Sequence, residues 1–306
     1  MRDTGNIIKQ WPATFGSDAA GVIVEAGAEV MGVLAEKGTR VAAFCPYFAT
    51  SDSDRGAFQK FVIIPQEYIA PIPRWCSFIE AAKLPMAVLT AWNGWNTLGL
   101  PYEHPHQLQD KKGVLVWGGS SSVGSVTVQV AKLLGYHVYT TASYNHHMYL
   151  KSIGATHVFD RKNPAVVEEI IAAIKADGVS LDFAYDAVGS AAECNAVIKA
   201  INPTGTTKMA YAPLVTDETA RTEGVELCFI TPPKDDAAQR KWATFIFNTW
   251  LARVLEERTF KPSPPPKLIK PLLQINTGLK SLDEGLDELK KGVSGNKLVI
   301  EVYTPL

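Results

Sequence analysis

The run VLVWGGSSSVGSVTVQVAKLLG, residues 114–135, has the texture of a buried strand, a tight turn of small residues and a helix in immediate succession. Val114, Leu115, Val116 and Trp117 are apolar without alternation, as in a parallel strand covered on both faces. Gly118 and Gly119 permit a turn that side chains would resist, and Ser120, Ser121 and Ser122 are small enough for an anion to approach the main chain. Val123, Val126, Val130 and Leu133 recur at helical spacing, so the turn empties into a helix whose N–H groups and dipole favour phosphate. With a second strand expected at 137–142, this is the layout of a dinucleotide site. The usual G-x-G-x-x-G fingerprint is altered, because serines hold three inner positions between Gly118 and Gly124. A plain strand-to-helix turn is the competing reading.

The choice of dinucleotide turns on a missing charge. NAD sites carry an Asp or Glu about 20 residues after the glycines, at the tip of the second strand, to bond the ribose 2′-hydroxyl. Here that tip is Ser143, and no acidic residue occurs from Lys111 to Phe159. Asn145, His146, His147 and Lys151 are placed to meet a 2′-phosphate instead, which favours NADPH over NADH. Neutral imidazole is a weak phosphate partner, so adequate rather than strong discrimination is expected. An exposed helix start explains either histidine equally well.

Composition narrows the class. With 306 residues, 46% hydrophobic and 20% charged, the chain can bury one large core or two domains, and a formal net charge of -1 offers no general attraction to nucleic acid. No apolar run approaches the roughly 20 residues of a membrane span, and the start MRDTGNIIKQW lacks the regions of a signal peptide, so a cytoplasmic chain without membrane attachment is expected. Cys45, Cys76, Cys194 and Cys228 are too scattered for a C-x-x-C clip and read as free thiols. All six histidines lie between 104 and 157, which argues against a zinc site.

Along the chain, β-branched or aromatic runs at 22–24, 39–44 and 58–64 suggest a small barrel-like β domain. From Ala81 the texture is helical. Strand and helix then alternate through 114–117, 125–134, 137–142, 145–152, 157–159, 164–176, 181–186, 191–200 and 205–210, which implies a parallel sheet covered on both faces. Val166, Ile170, Ile171 and Ile174 form one stripe of a covering helix. Asp186 ends a strand on the side of the glycine-rich turn, and an N-cap of the next helix is the favoured role of its carboxylate. A long helix over 236–257, a stiff Pro-rich connector at 261–267, a helix around 279–291 and a strand at 297–303 follow, the tail returning to complete the first domain. The expected division is 1–80, 81–235 and 236–306.

Five ordered segments carry a family resemblance: PATFGSDAAGVIVEAG at 12–27, GAFQKFVIIP at 56–65, AAKLPMAVLTAWNGW at 81–95, the glycine-rich run, and GLDELKKGVSGNKLVIEV at 285–302. The chain resembles the medium-chain dehydrogenase/reductase superfamily, in its zinc-independent quinone oxidoreductase-like branch, and most of all the fungal dehydrogenases and trans-acting enoyl reductases of secondary metabolism. The resemblance implies an α/β fold, a Rossmann-type doubly wound parallel sheet plus a GroES-like β-barrel domain. Members normally carry a few dozen residues before the equivalent of Met1, so the chain is expected to be N-terminally truncated: either Met1 is not the true start, or part of the barrel is missing and strand edges are unpaired. Where zinc-dependent relatives have a Gly-His-Glu step, this chain has Gly16, Ser17 and Asp18, and the four-cysteine zinc loop is missing. No metal is therefore implied.

Carried over residue by residue, the resemblance assigns NADP(H) to Gly118, Ser120, Ser121, Ser122, Val123 and Gly124, then Ser143, Asn145, His146 and Arg161, then Ala210, Tyr211, Val293 and Ser294. The family often has Lys at Asn145 and Tyr at Arg161, where the arginine can supply the cation. The substrate wall falls on Leu84, Pro85, Met86, Ala87, Val88, Leu89, Thr90 and Ala91, with interdomain packing as the competing reading. The implied chemistry is NADPH-dependent, zinc-independent reduction of an activated C=C or C=O bond in a small molecule or a carrier-bound enoyl thioester, by a monomer or homodimer. Tyr47, Tyr102 and Tyr211 are candidate donors, and no catalytic acid is assigned. A quinone oxidoreductase and a catalytically impaired NADPH-binding or partner-docking protein are the alternatives. Trp92 and Trp95 either line an apolar acceptor site or pack in the interior.

Overall fold

The computed structural model describes residue 8 and residues 11–103, 105–213, 222–262, 266–268, 278–293 and 295–302. The chain forms two compact units, Met1–Leu89 with Asp236–Leu306, and Thr90–Asp235.

In the first unit, β1 (Asp18–Val22), β2 (Arg40–Phe44) and β3 (Ile69–Pro71) form an antiparallel sheet with β2 central, the sheet expected of a GroES-like part. The residues at 58–64 are not a strand. Gln59 Nε2 donates to Ser53 O at 2.7 Å and Gly56 O at 2.9 Å, and Ile63 N bonds Asp54 O at 2.8 Å, so this segment's hydrogen bonds close a loop instead of joining a ladder. Likewise β1 begins at Asp18, ahead of the expected 22–24, because its small residues pair directly with the alanines of β2. Two short helices follow, α1 (Tyr47–Thr50) and α2 (Phe78–Ala81), the latter started by a capping box in which Ser77 and Glu80 satisfy each other's N–H groups. Then α3 (Pro85–Leu98) runs from the first unit into the second.

The second unit is a six-stranded parallel sheet in the order β6-β5-β4-β7-β8-β9. Its strands are β4 (Lys112–Trp117), β5 (His137–Ala142), β6 (His157–Asp160), β7 (Ser180–Asp186), β8 (Thr207–Tyr211) and β9 (Val225–Phe229). The chain starts in the middle, winds outward to β6, returns beside β4 and winds out the other way. This is the doubly wound order, with its switch point between β4 and β7. The sheet is covered by α4 (Ser122–Leu133), α5 (His147–Ser152), α6 (Val166–Asp177) and α7 (Ala191–Ile201). The stripe of α6 is as expected: Ile170 and Ile174 are buried against Leu115, Tyr139 and Val197, with Ile171 packed at the margin. Strand β9 has no counterpart in the expected alternation, since VELCF mixes charge with apolar residues, as suits a half-exposed edge.

Trp92 and Trp95 pack inside this unit. Trp95 meets Phe183 and Tyr136 edge-on at 5.1 and 6.3 Å, and Trp92 meets Tyr102 at 5.9 Å, so neither ring is left to line an acceptor site.

In the returning tail, α8 (Asp236–Thr244), a π-helical stretch at Phe245–Leu251 and α9 (Ala252–Glu256) run on without a break. Within the stretch Asn248 Nδ2 donates to Gln66 O at 3.0 Å and Ile69 O at 2.6 Å, tying it to β3. The Pro-rich passage is more than a connector: β10 (Pro266–Leu268) pairs in parallel with β11 (Lys297–Val299), across α10 (Gly278–Lys291). Pro266 opens its strand, where a missing N–H is tolerated. The last strand, expected over 297–303, stops at Val299; residue 303 lies outside the described residues.

Two packing features give measurable expectations. A Cβ at Gly94 would lie 2.9 Å from Cζ and Oη of Tyr185, a ring without exposed surface whose hydroxyl donates to Thr90 O at 2.9 Å. Gly94→Ala gains about 1 kcal/mol of helix propensity, but the ring cannot yield, and a net loss of about 1–3 kcal/mol is expected in chemical denaturation. At the far end of the sheet, the Tyr139 hydroxyl donates to Asp177 at 2.7 Å, with His157 Nε2 at 2.9 Å. That hydroxyl first, and His157 second, hold the Asp177 carboxyl below its ordinary value. Its folded value being the lower one, the stabilisation is complete above the ordinary Asp range and is lost as pH falls below about 4. Asp177→Asn is therefore expected to cost about 1–2 kcal/mol at pH 7, with the gap to wild type closing in urea titrations near pH 2.

Candidate functional site

At the C-terminal end of β4 the chain turns through Gly118, whose φ of 81° suits glycine. Two threonines of β5 hold this turn. Gly118 N donates to Thr141 Oγ1 at 3.0 Å, Gly119 N to Thr141 O at 2.9 Å, and Thr140 Oγ1 donates to Val116 O at 2.7 Å. Sequence reading missed both; their signal is a pair of threonines in an otherwise apolar strand.

The space is as tight as a dinucleotide turn requires. A Cβ at Gly119 would strike Thr140 Oγ1, and one at Gly124 would strike the Gly118 carbonyl oxygen, so α4 can leave the turn at this angle only with hydrogen at both positions. Ser121 is the N-cap of α4: its Oγ accepts from Gly124 N at 3.0 Å. The next two N–H groups, of Ser122 and Val123, open the helix and have no partner among the described residues, and Ser120–Val123 are partly exposed. The serine hydroxyl thus does a capping task, while the main chain keeps two donors for an anion.

Across the switch point Asp186 has no exposed surface. Its carboxylate accepts from Val188 N at 3.0 Å, Gly189 N at 2.8 Å and Ser190 N at 2.6 Å. Ser190, not Asp186, holds the N-cap position of α7, so the carboxylate builds the loop before the helix. That loop lays Val188 on Gly118, where an added Cβ would meet Val188 Cγ1 at 2.5 Å.

The second rim lies at the tips of β5 and β6. Arg161 N donates to Ala142 O at 3.0 Å and its Nε to Ser143 Oγ at 3.2 Å, so the arginine is brought to the serine that replaces the usual acidic residue. Asn145 and His146 follow in a 3-10 turn, Tyr144–His146. Asp160 ends β6, its carboxylate accepting from Lys162 N at 3.0 Å. Ala210 is fully buried in β8 and can offer only main chain, while Tyr211 at the strand's end packs on Phe229 with centroids 5.4 Å apart. The structure therefore gathers Gly118, Ser120–Gly124, Ser143–His146, Arg161, Ala210 and Tyr211 at the C-terminal edge of one sheet. Val293 belongs to the first unit, and Ser294 lies outside the described residues.

Of the hinge segment, Leu84, Ala87, Val88 and Ala91 are buried, as is Pro85, whereas Met86, Leu89 and Thr90 keep partial exposure. Asp18, in the first unit, is fully engaged: Oδ1 accepts from Met86 N at 2.6 Å and Oδ2 from Lys297 Nζ. Among the described residues no group of three or more His, Cys, Asp or Glu is arranged to hold a metal, and no helix is long and apolar enough to cross a membrane. Cys45, Cys76 and Cys194 are buried free thiols and Cys228 is a half-buried one.

Two family models match the chain, the alcohol dehydrogenase GroES-like domain over residues 1–74 and the zinc-binding dehydrogenase over residues 122–212. The trans-enoyl reductase tndF of Aspergillus flavipes is 38% identical over 293 residues, covering 95% of this chain and 83% of the relative. The trans-enoyl reductase tazE of Aspergillus terreus is 39% identical over 234 residues, covering 76% and 77%. Among solved structures, an NAD-dependent alcohol dehydrogenase superposes with a TM-score of 0.68 at 22% identity, covering 96% of this chain and 84% of its own.

Two substitutions separate the parts of the turn. Gly124→Ala forces the turn open against main chain, and a loss of dinucleotide affinity of about 10- to 100-fold is expected in fluorescence titration. Ser121→Ala removes the cap without filling space, and is expected to cost about 1 kcal/mol of stability with a much smaller change in affinity.

Proposed function

The chain belongs to the medium-chain dehydrogenase/reductase superfamily, among the fungal dehydrogenases and trans-enoyl reductases, and from that premise we propose that it is an NADPH-dependent reductase of an enoyl thioester. The observation that carries the cofactor choice is Arg161 resting on Ser143 at the tip of β5, where NAD sites place a carboxylate. A guanidinium and a hydroxyl there suit a 2′-phosphate, and the N–H groups of Ser122 and Val123 suit the pyrophosphate. The turn fits the group sterically as well, since glycine stands at each position where a Cβ would close it.

Bound NADPH supplies the hydride. The protein's own residues hold and align. Asn145 and His146 frame the second rim, Ala210 and Tyr211 the edge of β8, and Val293 and Ser294 are proposed as further contacts from the tail. Met86, Leu89 and Thr90, the accessible members of the 84–91 segment, are proposed to meet the acyl chain. No zinc is required in this reading, which is supported by Asp18 being committed to Lys297 and the start of α3. The enoyl substrate class is drawn from the relatives named as trans-enoyl reductases. The chain would act in the cytoplasm on a small or carrier-bound acyl substrate.

The test is direct. Purified protein is expected to bind NADPH at least about 10-fold more tightly than NADH, and Arg161→Ala to lose about 10- to 100-fold for NADPH with NADH unchanged. Crotonyl-pantetheine is expected to be reduced, followed by loss of NADPH absorbance. Turnover of quinones alone would make the protein a quinone reductase, and no nucleotide binding by folded protein would overturn the reading.

A further inference from the structure

A cavity of about 480 Å³ opens in the first unit, between the end of β3 and the tail helix, within the size range of small-molecule sites. Its floor is apolar and stiff. Pro71 closes β3 and Pro73 follows it, both without an N–H, and Ile72 between them is 6% exposed, its N donating to Arg40 O at 2.9 Å. The facing wall carries Asn248 and Thr249 from the π-helical stretch, then Ala252, Arg253 and Glu256 from α9. Asn248 sets this wall beside the floor, because its amide nitrogen is spent on the carbonyls of Gln66 and Ile69. Wide helical turns of this kind recur at functional sites.

Two charges of the wall are spare. Arg253 and Glu256 are exposed, opposite in sign and one helical turn apart, yet no ion pair joins them, and neither side chain has a partner among the described residues. Elsewhere in the unit such groups are engaged, as with Arg40 on Cys76 O at 2.6 Å, Arg55 on Asp52 at 3.3 Å and Lys297 on Asp18. No other residue lining the cavity is ionisable. An inorganic phosphate or a fatty acid would be drawn to Arg253 but repelled by Glu256, and a polyamine would meet the reverse. A cation and an anion side by side above an apolar floor match a ligand that carries both charges on adjoining atoms, with an apolar group beside them.

We propose that this cavity binds a free α-amino acid with a large apolar side chain. The Arg253 guanidinium takes the carboxylate, the Glu256 carboxylate takes the ammonium, and the side chain lies on Pro71, Ile72, Pro73 and Ala252. The ligand is held unchanged, with no bond made or broken. The site lies wholly within the first unit and shares no residue with those proposed to hold NADPH or the acyl chain, so it stands apart from the reductase reading.

The experiment is a saturation-transfer difference NMR titration of the full chain with L-phenylalanine, run beside L-phenylalaninamide, which lacks the carboxylate, and N-acetyl-L-phenylalanine, which lacks the ammonium. L-Phenylalanine is expected to bind with a Kd on the order of 1 mM, and each analogue about 10-fold more weakly. Arg253→Ala is expected to bind phenylalanine and its amide equally, and Glu256→Gln to bind phenylalanine and the N-acetyl compound equally. Ala252→Phe, which fills the cavity and keeps both charges, is expected to abolish binding. All three positions keep exposed surface, so the variants are expected to retain the wild-type unfolding midpoint and NADPH affinity. No transfer to phenylalanine up to about 10 mM, or binding that the three variants leave intact, overturns the assignment. A chain that takes phenylalanine in this pattern yet binds no nucleotide would sink the reductase reading and leave this site standing.

Discussion

The Asp186 carboxyl group, without exposed surface, is the point on which the C-terminal edge of the parallel sheet depends. Such a group is tolerated only where donors replace its water, and here three consecutive N–H groups do so. Meeting that demand dictates the shape of the loop after β7, and the loop in turn seats Val188 on Gly118. The turn after β4 is thus pressed from one side by β7's loop and held from the other by Thr140 and Thr141 of β5. Only a path without side chains at 118, 119 and 124 threads between them. The N–H groups of Ser122 and Val123, without a partner among the described residues, are a by-product of that compression, since the helix must start abruptly.

The second unit was largely legible in the amino-acid order, because parallel strands buried on both faces and their covering helices write strong, distinct periods. Leu115 among buried neighbours and the stripe on α6 needed no tertiary knowledge. Strand β9 escaped, since it is a short edge strand that is at most half-buried and is interrupted by a glutamate. In the first unit the pattern misled. The aromatic and β-branched run at 58–64 has every local reason to extend, but the Gln59 side chain supplies the loop with two bonds that no period reveals. Ser121 was legible as a residue of the turn yet not as its cap, and Thr140 and Thr141 were not legible as its supports, because both roles depend on a neighbouring strand.

The residues Gly16, Ser17 and Asp18 illustrate a different limit. They stand where a Gly-His-Glu step was the point of comparison, and their surroundings say what the first and last of them do. Gly16 makes room for the Phe58 ring, and Asp18 joins β1, the start of α3 and Lys297 of β11, segments far apart along the chain. The tail is therefore fastened to the first strand by charge.

The π-helical stretch at Phe245–Leu251 sets the frame of the long tail helix. Each residue of an α-helix turns its successor by about 100°, and a wider turn resets that count midway along the rod. The residues of α9 therefore face directions that a continuous α-helix would not give them, and Asn248 lies where its amide meets the carbonyls before and within β3. Exchanging a side chain on this helix alters one set of contacts, whereas adding or dropping one residue would swing everything beyond it by more than a quarter of a turn.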